Sequence, residues 1–409
     1  MKLSVLICVY NTAKEYLAEC LDSITRSTLR DYEICMVDDG STVDYSELVS
    51  SYGLKYVKTE NRGILAARLR CIEMAEGEYS VFVDSDDTVS CDFHQPMVET
   101  ADWACADIVM NDWAFRTERA RYYCLGDSTV SGHVSADGEE VLVKFLSQEG
   151  REHSYFVLWN KIYRSELLKS AARCVESSFL MSAPSVYAED ALINFFAFRD
   201  ASRLRNIHTG YYFYRIHSSQ SVNVSGREKL LTQINLMSMT LDTMADALPN
   251  TELKNAMLAS IKKWGELMSR THYSYALSAG YSDIYDAIKA AYRVEKLKRS
   301  TMRDQSAYVN NRLLASNFEE IDGALLKIWG DAGVTEVCYD KRDSYVRAFL
   351  ERLALSGRKI VYSPTASESI PRAEISLKNK ILHNYYIYNI GLILFKKGSR
   401  LRALLKKKL

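Results

Sequence analysis

Two clusters of carboxylates stand directly behind apolar runs. Asp38-Asp39-Gly40-Ser41 follows residues 33–37, and Asp84-Ser85-Asp86-Asp87 follows residues 79–83. Adjacent unpaired carboxylates cannot stay inside a folded chain, so both clusters must face solvent or a ligand. Three carboxylates within four residues repel one another, and a divalent cation is the usual compensation. Their hard oxygen donors suit Mn2+ or Mg2+, which in turn grip a diphosphate. The plain alternatives are a capping turn for the first cluster and a solvated acidic turn for the second.

Other residue sets carry related chemistry. Asn61-Arg62-Gly63 precedes a helical pattern with Ala66-Ala67-Arg68, where helix amides and a cation could meet a phosphate or a base. Trp159-Asn160-Lys161 comes before a helix predicted over 165–171, and Glu189-Asp190 opens another over 191–198. Asp190 either caps that helix against its dipole or takes the proton from an attacking hydroxyl. The aromatic run beginning at Tyr211 leads into Arg215, His217 and Ser218, Ser219 and Ser221, a set able to hold a diphosphate or complete a metal shell.

These residues must be positioned by elements that the hydrophobic pattern makes legible. Short apolar strands at 3–10, 33–37, 54–58 and 79–84 alternate with helical periods at 15–25, 46–52 and 64–75. That rhythm predicts an α/β fold, a mostly parallel sheet flanked by helices with ligands at the carboxyl ends of its strands. From about residue 228 the texture turns to long amphipathic helices, followed by a small βαβ unit with strands at 336–339 and 358–362. The expected division is therefore 1–225, a helical extension 226–305, a small α/β unit 306–374 and a basic tail 375–409.

The chain has 409 residues, 47% of them hydrophobic and 25% charged, with 52 basic and 52 acidic side chains. That balance excludes disorder and gives no whole-chain field for nucleic acid. The 9 cysteines form no C-x-x-C pair, which speaks against disulfide frameworks and zinc and for the reducing cytosol. The apolar start at 3–10 reads as a strand, not a signal peptide, and no stretch is long enough to span a membrane.

Taken together, Leu3-Ser4-Val5-Leu6-Ile7-Cys8-Val9-Tyr10-Asn11, Val37-Asp38-Asp39-Gly40-Ser41, Asn61-Arg62-Gly63 with Ala66-Ala67-Arg68, Ala75-Glu76-Gly77-Glu78-Tyr79 leading to Asp84-Ser85-Asp86, Trp159-Asn160-Lys161 and Glu189-Asp190 resemble a family 2 glycosyltransferase with the Rossmann-like GT-A fold. The resemblance covers about residues 1–225. It implies that Val9, Tyr10 and Asp39 contact the donor's nucleobase and that Arg68 lies near the base or phosphates. It also implies that Asp84 lies nearer the ribose, Asp86 ligates Mn2+ or Mg2+, and Asp190 is the general base. His217 and Ser221 match the stretch that closes over the diphosphate, with His217 completing the metal shell. Leu69 departs from the Asn that often follows the Ala-Arg pair. Inversion at the anomeric carbon in a single displacement is implied as well.

The expected activity is metal-dependent transfer of a sugar from a nucleotide-sugar, a UDP-sugar in the first instance, to a hydroxyl of a glycan or lipid-linked glycan precursor of the cell surface. A nucleotidyltransferase is one alternative, although Asn11-Thr12-Ala13 stands where it needs a Gly-rich phosphate loop. A non-catalytic nucleotide-sugar-binding scaffold is the other. After Glu374 every charged residue is basic, and Leu401, Leu404, Leu405 and Leu409 recur at helical spacing behind an aromatic stretch. Such a tail suits an anionic membrane surface at the cytoplasmic face. It equally suits packing on its own domain or on a second copy in a homo-oligomer.

Overall fold

The computed structural model describes residues 1–111, 113–117, 123–125, 135–147, 152–178, 188–207, 210, 212–216, 226–299, 336–339 and 359–362. The first part alternates β1 (Leu3–Val9), α1 (Lys14–Thr25), β2 (Tyr32–Asp38), α2 (Ser46–Tyr52), β3 (Lys55–Lys58), α3 (Ile64–Met74) and β4 (Tyr79–Phe82). β5 (Thr88–Val89), α4 (His94–Ala104), β6 (Ile108–Met110), β7 (Trp113–Thr117), β8 (Tyr123–Leu125) and β9 (Ala136–Asp137) follow. Then come α5 (Glu140–Ser147), α6 (Glu152–Phe156), β10 (Lys161–Arg164), α7 (Ser165–Glu176), α8 (Glu189–Asp200), β11 (Arg203–Asn206) and β12 (Tyr212–Ile216).

The main sheet has the order β3-β2-β1-β4-β10-β6-β11-β9. β3, β2, β1 and β4 run parallel, and β10 is antiparallel to both β4 and β6. Side chains alternate across a strand, and β1 uses both faces. Leu3, Val5, Ile7 and Val9 join α1 and α4 in one core, whereas Leu6 faces a second core built by α3, α7 and α8. A smaller sheet, β5-β12-β7-β8, lies beyond the end of β4.

Below the sheet, Ala75-Glu76-Gly77 has a purely structural task. The Gly77 N–H donates to Ser4 Oγ at 2.8 Å, and a Cβ at Gly77 would stand 2.6 Å from the Ser4 nitrogen. Ser4 Oγ donates to Glu33 at 2.6 Å, and Lys55 closes the network on Glu33 at 2.5 Å. This motif ties the amino ends of the strands, far from the carboxyl ends where ligands gather.

Residues 226–299 hold α9 (Arg227–Asp246), α10 (Lys254–Ala279) and α11 (Tyr285–Tyr292). Leu230, Ile234, Met237, Leu241 and Met244 of α9 recur at helical spacing and join the core of α3, α5 and α8. Trp264 of α10 stacks on Phe156 at 4.1 Å with planes 7° apart. The extension thus shares the core that carries α8.

β13 (Glu336–Tyr339) and β14 (Lys359–Tyr362) pair in parallel. The segment between them and the basic tail lie outside the described residues. Among the described residues, no helix is long and apolar enough to cross a membrane.

Candidate active site

The two acidic clusters sit at the carboxyl ends of the neighbouring parallel strands β2 and β4, on either side of β1. Their five carboxylates divide into distinct tasks. Asp38 is fully buried; its Oδ1 accepts the Ser41 N–H at 2.7 Å and its Oδ2 the Tyr56 hydroxyl at 2.9 Å. Asp39 accepts the Arg62 N–H at 2.8 Å and the Gly63 N–H at 2.9 Å. Those amides open α3, where an anion is favoured, so the chain's own carboxylate holds the donors that the sequence pattern reserved for a phosphate. Gly40 makes this possible: its φ is +79°, and a Cβ there would lie 2.6 Å from the Asn61 nitrogen. The capping turn that is the plain alternative for this cluster is not seen. α2 starts at Ser46 with no side-chain cap, while Ser41 Oγ accepts the Asn11 N–H at 2.9 Å.

The second cluster forms a turn in which the Asp87 N–H donates to the Asp84 carbonyl at 3.0 Å. Asp87 does not take part in the three-carboxylate patch expected from sequence. It is 1% exposed; its Oδ1 accepts the Arg215 N–H and its Oδ2 the Tyr212 hydroxyl, both at 2.7 Å. Burial, with Asp86 and Asp84 close by, pushes its pKa well above the carboxylate range. Asp84 and Asp86 are partly exposed. Burial raises the Asp84 pKa to about 6; Arg68 opposes the rise, and Asp86 and Glu189 add to it.

Arg68 is the hub. Only 5% exposed, it reaches Asp84 at 3.5 Å and Glu189 at 2.9 Å, and it pairs with Asp190 Oδ1. Burial works against its charge, yet Glu189 and Asp84 outweigh that and its pKa is raised. Arg68 thus lies among carboxylates of β4 and α8. Asp190 is not the cap that its position allowed: Ala188, at φ 64°, is the N-cap, with no side-chain hydrogen bond.

Other predicted residues divide by exposure. The Val9 side chain is buried and its carbonyl accepts the Asp39 N–H at 2.9 Å, whereas Tyr10 is 55% exposed at the strand's end. His217 and Ser221 lie outside the described residues. Arg215, a candidate diphosphate group in the sequence, is buried and committed. Its Nε donates to the Asp86 carbonyl at 2.6 Å, Nη2 pairs with Glu19 at 2.7 Å, and the guanidinium covers Tyr16 at 4.4 Å. Lys161 is also internal. Its ammonium meets the Ser154 and Val157 carbonyls at 2.5 Å and Asn160 Oδ1 at 2.7 Å, while burial pulls its pKa well down. Tyr212 was not singled out by sequence reasoning, and its only signal was membership of an aromatic run.

Asp84 and Asp86 fit a small hard cation by donor type. Among the described residues, no group of three or more His, Cys, Asp or Glu side chains is arranged to hold a metal. Mg2+ and Mn2+ are compatible with that, since one or two carboxylates plus substrate phosphates and water complete their shells.

Residues 4–130 match the family Glycosyl transferase family 2. The chain carries a family 2 glycosyltransferase domain. It is 31% identical over 222 residues to the uncharacterized glycosyltransferase EpsJ of Bacillus subtilis (strain 168), covering 52% of this chain and 60% of EpsJ. It is 23% identical over 413 residues to the glycosyltransferase GlyA of Streptococcus pneumoniae serotype 4, covering 94% of this chain and 55% of GlyA. The chain thus spans little more than half the length of these relatives. The fold is similar to that of TarS of Staphylococcus aureus, with a TM-score of 0.50 and 22% identity over 79% of this chain and 50% of that one. The glycosyltransferase domain therefore includes β1 to β4, both acidic strand ends and Arg68, while Asp190 and β12 lie beyond the matched residues.

Proposed function

We propose that the chain moves a sugar from a nucleotide-sugar, with a UDP-sugar as donor, to a hydroxyl of a cell-surface glycan precursor, free or lipid-linked, inverting the anomeric carbon. The observation that carries this reading is the Arg68 junction, where one buried guanidinium joins Asp84 at the end of β4 to Glu189 and Asp190 at the start of α8. In this reading a donor-side carboxylate within the matched residues 4–130 and acceptor-side carboxylates beyond them share one cation at the mouth of the parallel sheet.

In this reading Asp190 receives the acceptor's hydroxyl proton on Oδ2, its Oδ1 being held by Arg68. The acceptor oxygen bonds to the anomeric carbon from the face opposite the leaving group. The bond from that carbon to the phosphate oxygen breaks, and the nucleoside diphosphate departs with the electron pair. Asp86, with Asp84 beside it and His217 a further ligand, would hold Mn2+ or Mg2+, which when bound supplies positive charge opposite the diphosphate. Exposed Tyr10 with Val9 and Asp39 forms the nucleobase end, and Ser221 belongs to the diphosphate end. The basic tail would hold the enzyme at an anionic cytoplasmic membrane face, which co-sedimentation with anionic vesicles across a salt series tests.

Calorimetry of UDP-sugar binding with and without Mn2+ tests the donor site. Binding should depend on Mn2+ in the parent and vanish in Asp86→Ala at an unchanged melting temperature. Undiminished turnover in that variant, or full activity in excess chelator, would overturn the metal assignment.

A further inference from the structure

The turn 84–87 is held from outside at every residue. The Asp84 N–H donates to Tyr212 Oη at 3.0 Å. Ser85 Oγ lies 2.7 Å from Thr12 Oγ1 in the turn between β1 and α1. The Asp86 carbonyl accepts Arg215 Nε, and the Asp87 carboxylate accepts the Arg215 N–H and the Tyr212 hydroxyl. Four of these contacts come from one strand, β12, more than 120 residues further along the chain.

That strand is itself fixed. The Tyr212 ring stacks on Trp159 at 4.3 Å with planes 15° apart, and Trp159 adjoins the internal Asn160-Lys161 pair. Gly210, at φ +76°, lets the chain pass where a Cβ would lie 2.6 Å from the Asp92 carbonyl. The Tyr212 hydroxyl has one proton, given to Asp87, and its lone pairs face the Asp84 amide. It therefore reads both corners of the turn at once.

We infer that Tyr212, Asp87 and Arg215 are positioning residues that set the metal affinity of the Asp84 and Asp86 carboxylates. The inference rests on the proposed metal role of Asp86. Small divalent cations demand near-ideal ligand geometry, so a turn locked before the cation arrives binds it without an ordering cost. Asp87 contributes as an immobile strut, with both oxygens occupied by donors, and not as a ligand.

The test is Mn2+ binding to the full chain in the presence of UDP, read by calorimetry, beside the Mn2+ dependence of UDP-sugar turnover. Tyr212→Phe keeps the ring on Trp159 and deletes only the hydroxyl. Loss of one such hydrogen bond should raise the Mn2+ concentration for half-maximal turnover about tenfold. Saturating Mn2+ should recover most of the lost rate. Asp87→Asn should shift the same quantity in the same direction, and it keeps the inference testable if Tyr212→Phe fails to fold. An unchanged Mn2+ requirement in folded variants, with turnover abolished in Asp86→Ala, would overturn the clamp and leave the metal reading standing. A rate loss that saturating Mn2+ does not relieve would also overturn it, because general loosening acts in that way. Absence of any Mn2+ dependence in the parent would remove the metal reading itself, and the clamp with it.

Discussion

Replacing Arg68 by methionine removes the cation shared by Asp84, Glu189 and Asp190 while keeping an apolar stem above Phe82, whose ring lies 5.9 Å from the guanidinium. With Arg68 present, Asp84 already has its pKa raised from 3.8 to about 6. That difference corresponds to about 3 kcal/mol, reduced to about 2 kcal/mol by screening of a side chain that is 32% exposed. The folded carboxylate binds its proton more tightly than the unfolded one, so this group favours the fold below pH 3.8 and loses that contribution as pH rises through about 6. Without Arg68 the three carboxylates face one another unopposed, and the Asp84 pKa climbs further. Breaking a buried pair costs about 3–5 kcal/mol; the partial exposure here points to the lower end, about 3 kcal/mol at pH 8. At pH 5 the deficit should shrink to about half of that. Urea unfolding of parent and Arg68→Met at the two pH values measures both quantities. Equal deficits at pH 5 and pH 8, or none at either, would refute the idea that Arg68 neutralises this cluster.

Gly40→Ala should lower stability by about 1–3 kcal/mol, since the added Cβ meets the Asn61 nitrogen at 2.6 Å and φ is +79°. Thermal melting checks this, and donor affinity should fall too because the shift moves Asp39 away from the Arg62 and Gly63 amides. His272, buried against Tyr292 Oη at 2.7 Å, has its pKa lowered by burial from 6.5 to about 4. Its neutral form favours the fold above pH 6.5, and about 3 kcal/mol should be lost as pH falls to 4. The drop in unfolding free energy between pH 7 and pH 5 should be smaller in His272→Gln than in the parent, and an identical drop would count against this assignment.

Much of the site is legible in sequence because its charges stand where apolar strands end. β1, β2 and β4 must be buried on both faces, so carboxylates just past them mark the sheet's carboxyl edge. Sequence does not disclose which carboxylates face outward. Asp38 and Asp87 are internal because Tyr56, Tyr212 and Arg215 supply donors, and for Asp87 those donors lie 125 and 128 residues away. For the same reason the helical pattern around Arg68 does not disclose its partners, two of which are carboxylates that α8 brings to it. Lys161 stands in a linear motif of the resemblance, and only the fold shows that three oxygens from its own neighbourhood enclose it. The apolar stripe of α9 recurs at helical spacing, but no local pattern tells that it completes the core beneath α8.

The most direct test of sugar transfer through Asp190 is to measure donor affinity and transfer rate side by side in Asp190→Asn. The substitution keeps the side chain's size and removes its ability to take a proton. Donor affinity should stay within a few fold, and transfer should fall about 10²-fold or more, the usual worth of a positioned base. Transfer at the parent's rate would contradict the assignment and return Asp190 to a structural partner of Arg68.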